Sequence, residues 1–143
     1  MEHLAYCDKK AKELEKILGG TKTMLVRGAA GRKLPYGRVS PGETIYLIEN
    51  DGKGLISAKG IVSTVFNSEK LTEEESKAII YDNQDKLQLT EVQLKRWIGK
   101  KYLCFVEIED VEKIEPFTYF RAGNMDDWII VNGIDEIRKE ITA

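Results

Sequence analysis

The sequence predicts an α+β domain: a small mixed or antiparallel β-barrel with an N-terminal helix, a two-helix insertion and a short C-terminal helix. Three observations predict it. Segments rich in β-branched and aromatic residues recur between Thr21 and Val131, and short Gly, Pro, Asn and Asp turns join them instead of helices. Two helix-start patterns stand close together at Thr72–Glu75 and Thr90–Gln93, between strands and not alternating with them. Finally, 143 residues suit one hydrophobic core.

Taken in order, Leu4, Ala11, Leu14 and Leu18 fall near heptad spacing with Cys7 on the same side. They predict a helix over about 3–18 that ends at Gly19-Gly20. Residues 1–20 then form a helix packing on the domain proper, 21–143. Thr21–Val26 reads as the first strand. Ser40-Pro41-Gly42-Glu43 places Pro and Gly where a type II turn needs them, and Thr44–Glu49 follows as a strand. Asn50-Asp51-Gly52-Lys53-Gly54 is turn chemistry, and Leu55–Phe66 reads as a long strand bent at Gly60. The first inserted helix would bury Ala78, Ile79 and Tyr81, and the second Leu94, Trp97 and Ile98, ending at Gly99. Tyr102–Ile108 is a strand of high β propensity. Val111–Phe120 is broken by Pro116 and reads as an edge strand. Trp128–Val131 is a last short strand before a helix near Ile134–Ile141.

The bulk properties exclude several functions. Net charge −2 and pI near 5.6 rule out a histone-like polycation, so any polyanion must be held by a patch. The apolar runs LCFV and WIIV are too short to span a bilayer, and the N-terminus lacks the apolar stretch of a secretory signal. Cys7 and Cys104 lie far apart with no CxxC, so a reducing cytoplasm is expected and no cofactor or metal is implied. In the helix-barrel scheme Cys7 is a half-exposed helix residue and Cys104 a core strand residue. His3 stands near the N-terminus without an evident partner, which closes the Ser-His-Asp and Cys-His routes. Gly28-x-x-Gly31-x-Lys33 has neither the spacing nor the hydroxyl of a P-loop.

Residues 27–38, RGAAGRKLPYGR, are the candidate site. No acid occurs between Lys16 and Gly42, whereas Lys22, Arg27, Arg32, Lys33 and Arg38 all do. Such segregation makes a local positive field, and Gly28, Gly31 and Gly37 let backbone approach a ligand. The alternative is a basic surface turn, solvated or paired with the acids of 107–115. Other residues divide the same way. Glu49 is a site carboxylate or a cross-strand partner of a cation such as Lys59. Trp97 reads as a core anchor. Trp128 is a core anchor or the rim of a polar loop, Gly123–Asp127. Asp126-Asp127 reads as a cap before a metal pair, and Tyr119 with Arg121 as a solvated edge or an extension of the cleft. The amides Asn83, Gln84 and Gln88 satisfy loop backbone or read base edges.

Gly31-x-Lys33-x-x-Tyr36-x-Arg38 resembles the ASCH-domain pattern Gly-x-Lys-x-x-Glu-x-Arg, with Pro41-Gly42-Glu43 similar to its Gly-Asp strand entry and AKGIV (58–62) to a later strand. The family belongs to the PUA-like superfamily of small β-barrels. The resemblance implies a cleft for RNA or a modified nucleobase, and some small members resemble amidohydrolases of acylated cytidine. The family glutamate is Tyr36 here, which suits stacking on a base better than proton abstraction. The resemblance, at Gly31, Lys33, Tyr36 and Arg38, together with the charge and aromatic chemistry of Arg27, Gly28, Arg32 and Trp128, predicts binding of RNA or a modified nucleobase or nucleotide by these residues. The alternatives are an amidohydrolase with Lys33 activated and Glu49 as the acid, or an interaction module whose first helix docks a protein partner.

Overall fold

A computed structural model describes residues 1–121 and 126–139. It is an α+β domain whose one six-stranded mixed sheet curls into a half-barrel. The elements in chain order are β1 (Glu2–Cys7), α1 (Glu13–Leu18), β2 (Met24–Ala29), β3 (Thr44–Glu49), β4 (Ile56–Asn67), α2 (Glu73–Asp82), α3 (Gln84–Leu87), α4 (Glu91–Trp97), β5 (Tyr102–Phe117) and β6 (Trp128–Val131). The strand order is β2-β5-β4-β3-β1-β6. Only β1 and β3 run parallel among neighbours; the other pairs are antiparallel. The two end strands, β2 and β6, do not pair with each other, so the barrel is open along that seam.

The N-terminus corrects the expected helix. Residues 2–7 form a strand between β3 and β6, and helix begins only at Glu13, after Lys12 in the left-handed region (φ 55°). His3, Leu4, Ala5 and Cys7 are all fully buried, so the strand is covered on both faces. A strand of that kind shows no alternation, and its apolar positions imitate a helical stripe. With the long helix goes the exposed helical face on which a protein partner was expected to dock. Cys7 is therefore a core strand residue, as Cys104 is.

The middle follows the local signals closely. Gly42 (φ 90°) turns the chain into β3, with Glu43 N–H donating to the Ser40 carbonyl. Strand β4 shifts register at Gly60, where a Cβ would come within 3.0 Å of Val111 Cγ2 and 3.1 Å of the Glu109 carbonyl. Both capping boxes form, at Thr72/Glu75 and Thr90/Gln93. The insertion holds three helices where two were expected, because Gln88 adopts φ 50° and ends a separate turn, α3. Its inner face is Ile80, Leu87, Leu89 and Trp97, packed on Met24, Val26, Leu103 and Phe105; Ala78 and Tyr81 stay exposed.

Strand β5 is one continuous element. Beyond Glu107 it keeps only β4 as a neighbour, so Pro116 does sit on an edge, where its missing N–H costs nothing. The expected C-terminal helix is replaced by a short 3-10 turn, Ile134–Glu136, followed by a bridge from Arg138 to Tyr119; residues 140–143, including Ile141, lie outside the described residues. No helix among the described residues is long and apolar enough to cross a membrane.

Candidate functional site

The open seam holds a cleft of about 500 Å³. Strand ends supply Tyr6, Glu49 and Asn50; α1 supplies Glu13; the run into and along β2 supplies Lys22 and Arg27. The insertion adds Gln93, Arg96 and Trp97, and Tyr119, Arg121 and Asp127 close the far side. A smaller depression of about 270 Å³ adjoins it, sharing Arg27, Arg96, Trp97 and Asp127 and adding Gly28, Lys33, Leu34, Lys100 and Asp126.

Buried charge marks the floor. Lys22 is 2 % exposed, and its amine donates to the Leu87 carbonyl at the end of α3. Burial is the main force that lowers its pKa to about 8. Glu13 opposes the shift, and Arg27 adds to it. At pH 7 roughly a tenth of the amine is then neutral. Glu13 is buried too, and Gln93 Nε2 donates to its Oε2 at 2.8 Å. Gln93 Oε1 meanwhile accepts from Thr90 N–H, so the capping box of α4 also fixes the amide that holds Glu13.

Arg27 is the second buried cation, 9 % exposed. Its Nη1 donates to the Val26 carbonyl at 2.8 Å and its Nη2 to the Tyr6 carbonyl at 2.7 Å, which ties β2 to β1 across the seam. Its guanidinium lies 5.5 Å from the Trp128 ring centroid. Asp127 Oδ2 is 3.2 Å from Nε, but the N–H does not point at it, so Nε is buried without a hydrogen bond. The second aromatic wall is a hydrogen-bonded pair of hydroxyls, Tyr6 and Tyr119, with Arg121 Nη1 donating to Tyr6 at 3.0 Å. Burial and the Tyr6 contact push the Tyr119 phenol well up.

The sequence-expected residues are distributed unevenly around this cleft. Arg27 and Glu49 line it; the nearest cation to Glu49 is Lys9 at 3.8 Å, whereas Lys59 pairs with Glu112. Lys33 and Gly28 reach only the smaller depression, and the Lys33 side chain is 68 % exposed with Asp126 3.8 Å away. Arg32, Arg38 and Gly31 are exposed and line neither depression; Arg32 lies over Tyr102. Gly37 (φ 72°) serves the turn itself.

Three roles need correction. Tyr36 is not open for stacking: its hydroxyl donates to the Ser68 carbonyl and its ring meets Tyr102 edge-on. Trp128 is 1 % exposed, and its Nε1 donates to His3 Nδ1, so it underlies Arg27 instead of forming a rim. Gly28 makes room for protein, not ligand: a Cβ there would lie 2.6 Å from Leu103 Cδ2 and 3.1 Å from Lys100 Cβ. Of the expected loop Gly123–Asp127, residues 123–125 lie outside the described residues, while Asp127 pairs with Arg27 and Arg96. The amides of Asn83, Gln84 and Gln88 satisfy nearby backbone.

His3 has partners that its place in the sequence hid. Trp128 N–H can only donate, so His3 Nδ1 accepts and Nε2 carries the hydrogen toward Glu43, 2.9 Å away. His3 lines neither depression. Among the described residues no group of three or more His, Cys, Asp or Glu side chains could hold a metal ion.

No protein-family model and no curated protein matches the chain. Solved structures do. The crystal structure of ASCH from Zymomonas mobilis matches with a TM-score of 0.61 at 15 % identity, over 82 % of this chain and 73 % of that one. A tyrosine-to-phenylalanine mutant of the same protein matches at 0.61 and 13 %, over 82 % and 75 %.

The fold is that of an ASCH domain.

The spacing Gly-x-Lys-x-x-x-x-Arg occurs at Gly31, Lys33 and Arg38, and again at Gly20, Lys22 and Arg27. The second set places its lysine and arginine in the cleft, both buried; the first places its lysine at the margin and its arginine in solvent. Sequence reasoning missed Lys22, Glu13 and Gln93. The repeat of the spacing eleven positions upstream was the available signal for the first.

Proposed function

We propose that the cleft binds a nucleobase-bearing ligand, either RNA or a modified nucleobase or nucleotide, with Lys22, Glu13 and Arg27 on its floor. The observation that carries this reading is a buried amine, Lys22, and a buried carboxylate, Glu13, lining one cleft of about 500 Å³. A volume of that order suits one base with its sugar. Lys22 supplies donors, Glu13 an acceptor, and Trp97 an apolar surface beside them. Base edges present those complementary groups. The cost of leaving such groups desolvated is offset when a ligand meets them.

The test is binding of a fluorescently labelled single-stranded RNA by anisotropy across a salt series. Wild type is compared with Lys22→Met and with Arg32→Ala/Arg38→Ala. Binding that weakens with salt, falls at least about tenfold in Lys22→Met and changes less than about twofold in the double variant is expected. No binding at low salt overturns recognition of an RNA strand and sends the search to free modified nucleosides.

One observation favours a second reading, hydrolysis of an amide on a modified nucleoside. Lys22, with its pKa near 8, is the kind of amine that takes or delivers a proton near neutrality, and Glu13 and Glu49 share its cleft. In this reading Lys22 replaces the solvated Lys33 as the reactive amine. Release of acetate from acylated nucleosides, lost in Lys22→Met, is the corresponding assay.

A further inference from the structure

The smaller depression differs from the cleft in charge. Arg27, Lys33, Arg96 and Lys100 line it against Asp126 and Asp127. Its cations are held in different ways. Arg27 is nine-tenths buried and anchored through both terminal nitrogens, leaving its Nε–H buried and unbonded. Lys100 is half-buried, and its stem passes close to Gly28, where a side chain would displace it. Asp127 lies at the neck shared by the two depressions, 3.2 Å from Arg27 Nε and 3.7 Å from Arg96 Nη2. Its side chain is 43 % exposed, and its carboxylate meets two guanidinium groups without the aligned hydrogen bonds that such a pair can form.

We infer that this depression is a phosphate subsite, and that Asp127 stands where the phosphate binds. A phosphate entering at the neck takes the place of the carboxylate between Arg27 and Arg96, brings one more oxygen and more charge, and meets Lys100 and Lys33 on its other side. Asp127 moves outward toward solvent, where it is already half-exposed. The ligand of the protein is then a phosphorylated one, with its base in the larger cleft and its phosphate in the smaller depression. This deepens the proposed function and rests on it only for the base-bearing half.

The experiment is an NMR titration of the isotope-labelled protein with four kinds of probe: the common ribonucleosides, their 5′- and 3′-monophosphates, ribose 5-phosphate, and a trinucleotide with internal phosphodiesters. Wild type is compared with Lys100→Met, which keeps the stem over Gly28, and with Asp127→Asn. Phosphorylated probes are expected to bind about tenfold tighter than nucleosides, the worth of one charge-assisted hydrogen bond. Lys100→Met is expected to close most of that gap, and Asp127→Asn to widen it about threefold by removing the competing carboxylate. A preference for the monophosphates over the trinucleotide identifies a mononucleotide source; the reverse identifies a strand.

Nucleosides binding as tightly as nucleotides would overturn the subsite and leave the base cleft standing. Ribose 5-phosphate binding while nucleosides fail would keep the subsite and overturn the base reading. Weaker phosphate binding in Asp127→Asn, or a gap untouched by Lys100→Met, would also overturn the subsite.

Discussion

Two stretches of this chain carry the same spacing of glycine, lysine and arginine, and the fold treats them in opposite ways. Residues 31–38 concentrate charge in a surface turn, where Arg32, Lys33 and Arg38 keep their water. Residues 20–27 belong to the same acid-free run, yet they sink Lys22 and Arg27 into the seam of the half-barrel. Charge density in a sequence therefore finds where a polyanion could dwell. Burial determines where a charge is held at a fixed place and altered by its surroundings. The exposed set is screened within a Debye length of about 8 Å at physiological salt. The buried set sits among Glu13, Gln93 and backbone carbonyls that orient it.

The sharpest way to break this comparison is to remove the buried arginine. Arg27→Ala gives up bonds to the carbonyls of Val26 and Tyr6 and the contact with Trp128, and is expected to cost about 2–4 kcal/mol in urea denaturation. A loss below about 1 kcal/mol would make Arg27 a bystander like Arg32.

The buried lysine should behave differently again. Its folded pKa, about 8, lies below its ordinary value of 10.5, so the unfolded chain binds the proton more tightly. Stability is then penalised below pH 8 and recovers as pH rises from 8 toward 10.5. Lys22→Met, which leaves the Leu87 carbonyl without its donor, is expected to gain about 1–3 kcal/mol at pH 7 and to lose that advantage by about pH 10. Denaturation of both proteins at a series of pH values checks it. An advantage constant with pH would contradict the burial of a charged amine.

Gly28→Ala sharpens the comparison at the boundary between the two stretches. The added methyl meets Leu103 and the stem of Lys100, and a thermal shift equivalent to about 1–2 kcal/mol is expected. Smallest of all, Arg32→Ala and Arg38→Ala are expected to move stability by no more than about 0.5 kcal/mol each, since both side chains are exposed. A larger loss in either would show that the turn is braced by its charges.

Local chemistry was legible throughout. The Pro41-Gly42 turn, strand β3, both capping boxes and the edge at Pro116 follow from a few neighbouring residues each, and all appear. Strand β1 was not legible, because a strand covered on both faces loses the alternation that distinguishes it from a helix. The turn α3 was not legible either: Asn83, Gln84 and Gln88 read as amides between two helices, and no residue type there announces that 84–87 coils or that Gln88 ends the coil at positive φ. Of the residues expected at the site, Arg27 and Glu49 border the cleft. Glu13 and Lys22 were passed over because a charged residue on a short amphipathic segment reads as solvated, and only tertiary packing turns it inward. Trp128 failed the other way, since the polar residues before it suggested a rim while the ring itself belongs to the core.

The seam has one more consequence. Beside the open seam, a guanidinium links the carbonyls of Val26 in β2 and Tyr6 in β1, two strands that share no ladder. Closure of this barrel is thus delegated to a side chain. An engineer wishing to resize the aperture has a single codon to rewrite, and a lineage under selection has the same economy. The width of the binding chamber can drift by point mutation while the hydrogen-bonded scaffold around it stays as it is.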